Sequence, residues 1–98
     1  MYRSCSLRPP ETERTLVIET AGGVFVPLNP AFTNLDLIKS LNCECIVVSK
    51  HYLGSINHTL LTLEVLKIHK IPVLGVIFNG ESNPDTENAI LKISQQRF

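Results

Sequence analysis

The sequence predicts an α/β domain layered on a parallel sheet, from three observations. Three short apolar runs rich in β-branched residues recur along the chain, each is followed by a stretch with helical apolar spacing, and the polar and glycine residues gather just after each apolar run. Strands that are apolar throughout, rather than alternating, are expected to be buried on both faces.

Thr15-Leu16-Val17-Ile18 is the first such run, stopped by Glu19 and Ala21-Gly22-Gly23. It predicts a buried strand that ends in a flexible turn. Val24 to Leu28 predicts a second extended piece, closed by Pro27 and Asn29-Pro30. Thr33 or Asn34 then offers an N-cap for a helix carrying Leu35, Leu37, Ile38 and Leu41. Cys45-Ile46-Val47-Val48 predicts the next buried strand, running into the loop 49–54. Ser55 or Asn57 is suited to cap a helix with Ile56, Leu60, Leu61, Leu63, Val65, Leu66 and Ile68. Those residues cover more than one stripe, which implies contact with the sheet and with something else. After Pro72, Val73 to Phe78 predicts the third strand, ending at Asn79-Gly80. Asn83-Pro84-Asp85 begins the last helix with a cap, a proline in the first turn and an acid at the positive end of the dipole.

In open parallel sheets ligands collect at the carboxyl ends of the strands. Here those ends are Glu19 to Gly23, Ser49 to Gly54 and Asn79-Gly80. A carboxylate directly after a strand is able to hold Mg²⁺ against a nucleotide phosphate, though Glu19 reads equally well as a solvated turn residue. The helix start Gly54-Ser55-Ile56-Asn57 presents amide N–H groups without internal partners, and the end of a helix favours an anion there by about 0.3–2 kcal/mol. Asn79 has a carboxamide suited to the N6/N7 edge of adenine, or is simply the asparagine of an N-G turn. His51, His58 and His69 show no metal-binding spacing; His58 near a helix start and His69 near its end read as surface or capping residues.

Composition narrows the function further. The 98 residues are 44% hydrophobic with nine basic and nine acidic side chains, so the basic footprint of a nucleic-acid binder is missing. No apolar stretch approaches the ~18 residues of a membrane span. Met1 to Arg14 carries Arg3, Arg8 and Arg14 without the apolar core of a secretory signal, so it is expected to be an irregular leader before a partial domain over residues 15–98, in a cytoplasmic protein. Cys5, Cys43 and Cys45 are odd in number for a disulfide framework and lack a second cluster for a zinc site, so the Cys43/Cys45 pair reads as two small side chains, with Cys45 packed in the core.

Taken in order, these pieces resemble a known family. Leu16-Val17-Ile18-Glu19-Thr20-Ala21-Gly22-Gly23 through Pro27-Leu28 resembles the V-E-G-A-G-G…P-L segment of the dethiobiotin synthetases. Leu53-Gly54-Ser55-Ile56-Asn57-His58 is similar to their L-G-x-I-N-H segment, and Gly75 to Asn79 to their G-x-x-x-N strand end. The resemblance covers about residues 15–93 and corresponds to the C-terminal half of such an enzyme. It implies a three-layer, parallel-sheet fold of the P-loop NTPase type. It also implies Mg²⁺- and ATP-dependent closure of a ureido ring from 7,8-diaminopelargonate and CO₂: an amine forms a carbamate, ATP phosphorylates it, and the second amine displaces phosphate. The resemblance assigns Glu19 to the metal, and Glu19, Thr20, Ala21, Gly22, Asn79 and Gly80 to ATP. Gly54, Ser55, Ile56 and Asn57 are assigned to the substrate's distal carboxylate, reaching into the partner's site in a homodimer. It assigns no catalytic side chain within this chain.

The chain departs from the family in three places. Thr20 stands where the family has its first glycine. Nothing matches G-x-x-x-x-G-K-[ST], so the phosphate cradle, its lysine, the Mg²⁺ hydroxyl and the family's substrate-activating lysine are missing from these 98 residues. The sequence also stops before the family's last segment. The expectation is a truncated or split enzyme, inactive alone, that needs a complementing N-terminal half because its P-loop strand is absent. That strand is expected between the strand ending at Glu19 and the one ending at Ser49. Two other readings are a non-catalytic dimerisation or anion-binding module, and a ligase of the same superfamily similar to the cobyrinic-acid amidases.

Overall fold

The computed structural model describes residues 13–97. Most of the leader expected at residues 1–14 therefore lies outside the described residues. The chain divides into two compact units, one up to Asn42 and one from Cys43.

The first unit begins with a correction. Thr15 to Ile18 forms no strand, and Leu16, Val17 and Ile18 are exposed, Val17 to 86%. A strand of this composition is stable only between neighbours that accept its backbone groups and cover its side chains, and no described strand pairs with it. The next extended piece is present but later than expected: β1 (Pro27–Asn29) pairs antiparallel with β2 (Phe32–Thr33) in a short hairpin. Helix α1 (Asn34–Leu41) starts as the sequence predicts. Thr33 is its N-cap and forms a capping box with Asp36, whose carboxylate accepts from the Thr33 N–H at 2.8 Å. The helix ends at Asn42 in the left-handed region (φ 50°), a conformation that asparagine tolerates. Leu35 is the buried apolar residue of this unit.

The second unit is a β-α-β-α arrangement: β3 (Cys45–Lys50), α2 (Ser55–Ile68), β4 (Val73–Asn79) and α3 (Pro84–Arg97). Strands β3 and β4 are parallel, with Ile46 beside Gly75, Val48 beside Ile77 and Lys50 beside Asn79. The register slips between Cys45 and Ile46, which leaves Leu74 without a partner. Helix α2 packs on one face of the pair, and α3 packs on α2. The core is Leu63, Leu66, Ile71 and Ile90, with a buried hydrogen bond between the hydroxyls of Ser49 and Thr59 at 2.8 Å. Proline at the first position of α3 and the Asn83 cap, whose Oδ1 accepts from the Thr86 N–H, agree with the sequence reading.

The expected burial of the strands on both faces does not hold. Ile46, Val48, Leu74 and Ile77 are all more than half exposed, while Val47, Ser49, Val76 and Phe78 turn inward. Among the described residues this unit has two layers and not three, and no further strand joins β3 or β4. An all-apolar strand cannot reveal which neighbours are present; it only requires them. No described helix is long and apolar enough to cross a membrane.

Candidate functional site

The residues singled out in sequence fall in three places. In the first unit, Glu19 is exposed and lies in irregular chain just before the Thr20–Gly23 turn. The Thr20 hydroxyl donates to the Gly22 carbonyl at 3.0 Å, so this side chain closes its own turn. Gly22 needs to be glycine on two counts: its φ is +86°, and a Cβ would meet Val26 Cγ2 at 2.8 Å. The turn is held from below by Asn34, a residue that sequence reasoning saw only as a capping candidate. Asn34 is 1% exposed, and its Nδ2 donates to the carbonyls of Ala21 and Gly23, both at 2.9 Å. The start of α1 thereby fixes the backbone that follows Glu19. Among the described residues no group of three or more His, Cys, Asp or Glu side chains gathers to hold a metal. Glu19 alone suits Mg²⁺ in the mode where a carboxylate supplies one ligand and phosphate oxygens and water supply the rest.

In the second unit, Gly54 is the N-cap of α2. It is left-handed (φ 91°), and no side chain caps the helix. Neither Ser55 nor Asn57 performs the capping expected of it. Ser55 is instead buried, and its N–H is taken by the Tyr52 carbonyl at 3.0 Å. The amide groups of Ile56 and Asn57 have no partner among the described residues. Both residues are exposed, so the open end of this helix faces solvent with two free donors. Tyr52 and His58 flank it and share a 2.6 Å hydrogen bond between the phenol and Nδ1.

Asn79 and Gly80 form the other part of this unit's site. They line an open hollow together with Lys50, His51, Glu81, Ser82 and Asn83. Gly54 to Asn57 do not line it. Sequence reasoning placed Lys50 on the strand-end rim without a role: the parallel register pairs it with Asn79, so a cation and a carboxamide share one edge. Its position at the end of a strand was the available signal. His51, for which the sequence suggests no role, is held on two sides. Its ring stacks on Phe78 (centroids 5.6 Å apart, planes at 19°), and its Nε2 donates to Glu87 Oε2 at 3.1 Å. His58 and His69 are exposed, as expected.

The Glu87 carboxyl is held below its ordinary value of 4.5, chiefly by the Asn83 N–H at 2.7 Å; desolvation opposes this, and His51 and the Ser82 hydroxyl add smaller lowering effects. A carboxyl lowered on folding stabilises the native form at neutral pH and loses that contribution as pH falls through its lowered value. Acidification below pH 4.5 is therefore expected to loosen the first turn of α3 before the rest of the unit. Amide exchange measured against pH checks this, and Glu87→Gln is expected to flatten the dependence. Cys43 and Cys45 are thiols and not a disulfide; burial, then the neighbouring Cys43, pushes Cys45 up, which disfavours a reactive thiolate.

Comparison with known proteins shows the family of the chain. A family model described as AAA domain matches residues 2–98. The ATP-dependent dethiobiotin synthetase of Paramagnetospirillum magneticum is 48% identical over 85 residues, which is 87% of this chain and 42% of that protein. The enzymes of the same name from Christiangramia forsetii and Cytophaga hutchinsonii are 51% and 50% identical over 90 and 88 residues, each match covering 43% of the relative. The chain thus spans less than half the length of these curated relatives. No solved structure matches. Matched along nearly its whole length and about half identical to these enzymes over the part it spans, the chain belongs to the AAA-domain family as a homologue of one segment of the dethiobiotin synthetases.

Proposed function

We propose that this chain supplies the substrate-carboxylate and adenine contacts of a dethiobiotin synthetase, and that it turns over only with a complementing N-terminal half. The open start of α2 carries this reading. Gly54 has no side-chain cap above it, and the amides of Ile56 and Asn57 are left free within the L-G-S-I-N-H run that resembles the family's segment. A helix that spends no side chain on its own cap keeps its donors for a ligand, and a carboxylate suits both the N–H groups and the dipole. In this reading Gly54 to Asn57 hold the far carboxylate of 7,8-diaminopelargonate. Asn79 and Gly80 meet the adenine edge, and Glu19 with the Thr20–Gly22 turn faces Mg²⁺ and the phosphates. ATP supplies the phosphoryl group that activates the carbamate formed with CO₂.

A homodimer and a cytoplasmic location go with this reading. Helix α2 is apolar on more than its packed side, with Leu61 and Ile68 exposed, as expected of a helix that meets a second subunit. The binding-only module remains as a second reading because the 98 residues lack G-x-x-x-x-G-K-[ST].

Separate titrations of diaminopelargonate and of ATP–Mg²⁺ into the purified chain test the division of labour. Diaminopelargonate is expected to shift the amide signals of Ile56 and Asn57. ATP–Mg²⁺ is expected to bind at least about a hundredfold more weakly than it does to a complete relative, since a set of phosphate donors is missing. Unmoved Ile56 and Asn57 signals at saturating substrate would remove the carboxylate site.

A further inference from the structure

We propose that His51 is a positioning residue: its ring clasps the loop Gly80–Asn83 at both ends and so sets the shape of the Asn79–Gly80 turn that receives a purine base. The second half of this statement rests on the reading of Asn79 and Gly80 given above.

The loop has little of its own to hold it. Residues 80–83 are exposed and form no helix or strand, and Gly80 has φ +99°, so its backbone is free to take conformations closed to other residues. At the near end the His51 ring lies on Phe78, the residue just before Asn79, with centroids 5.6 Å apart. At the far end the same ring donates through Nε2 to Glu87 Oε2. That oxygen also accepts the Asn83 N–H at 2.7 Å and the Ser82 hydroxyl at 3.2 Å. One carboxylate oxygen therefore gathers the last two loop residues, and His51 joins that knot to the strand end where the loop began. The ring is mostly buried, with its side chain 13% exposed, and its Nδ1 is enclosed without a partner among the described residues. An imidazole placed so, with one nitrogen satisfied and the other shut in, gains nothing from this position except the stack and the Glu87 bond. A leucine would fill the same space without an unsatisfied nitrogen. The combination of a flat ring and an N–H donor is what the loop uses.

Two measurements on the full chain test this. Amide exchange at Asn83, the loop residue whose N–H is bonded to Glu87, is expected to quicken about tenfold in His51→Ala, while the α2 amides near Leu63 and Leu66 keep their wild-type rates. His51→Phe retains the stack and His51→Gln retains a donor, so each is expected to fall between. An unchanged loop in His51→Ala, or a loop that quickens only in step with α2, overturns the clasp. For the ligand, adenosine is the probe: it is expected to shift the amides of Asn79 and Gly80, and to bind about tenfold more weakly to His51→Ala. If adenosine leaves Asn79 and Gly80 of the wild-type chain unmoved, the base-binding half falls. The exchange data then still report separately on the clasp.

Discussion

Purified alone, the chain is expected to produce no detectable dethiobiotin from diaminopelargonate, bicarbonate and ATP–Mg²⁺, and to do so once the remaining segments of a relative, such as the Christiangramia forsetii enzyme, are supplied in trans. The magnitude follows from what the 98 residues lack. Removing a single preorganised donor at a developing negative charge costs about 10²–10³ in rate. Here a whole backbone cradle, a phosphate lysine and the Mg²⁺ hydroxyl are missing together. Complementation is expected to work because the second unit presents a ready surface. Ile46, Val48, Leu74 and Ile77 form an apolar face left in water, and covering the exposed half or so of each side chain contributes about 1–2 kcal/mol. Strands β3 and β4 each keep an unpaired edge among the described residues, which a further strand satisfies through backbone hydrogen bonds. Co-purification followed by a product assay checks both arms. Turnover by the chain alone would refute the role given to the missing loop. A complex without turnover would favour the binding-only reading.

Local signals in the sequence carried through where they depend on neighbours a few residues away. The Thr33–Asp36 capping box, the Asn83-Pro84 start of α3 and the strands at 45–50 and 73–79 all formed because caps, proline and β-branched runs act over short range. Thr15 to Ile18 reads as strongly as a strand and is none, since strand formation depends on partners distant in sequence. The same limit hid the partners of Lys50 and His51. Only the parallel register brings Lys50 beside Asn79, and only the β4–α3 loop brings Glu87 to His51. At α2 the helix follows the sequence reading and the cap does not. Ser55 is a preferred capping residue, but here it is buried inside the helix while Gly54 turns the chain. That misreading bears on function, because a capped helix would have no donors to offer.

Asn57→Ala in the complemented enzyme is expected to raise KM for diaminopelargonate about 10–100-fold and to leave kcat within about twofold, the cost of one hydrogen bond to a charged group. The split follows from distance along the substrate. A contact to the far carboxylate is made equally in the ground state and the transition state, so it affects binding without affecting the chemical step. Loss of fold is a poor alternative explanation for such a result. Asn57 is exposed in the first turn of α2, caps nothing, and alanine is the better helix former by a few tenths of a kcal/mol. Gly54→Ala provides the contrast. A Cβ there has room, its nearest neighbour being His58 Cε1 at 3.9 Å, yet the left-handed backbone costs about 1–2 kcal/mol for a non-glycine residue. Gly54→Ala is therefore expected to lower the melting temperature, and Asn57→Ala to hold it or raise it slightly. If Asn57→Ala lowers both the melting temperature and kcat, its side chain supports the helix and the carboxylate belongs elsewhere. If KM alone rises, the free amides of Ile56 and Asn57 and the Asn57 carboxamide act on one anion, which is what an uncapped helix start allows.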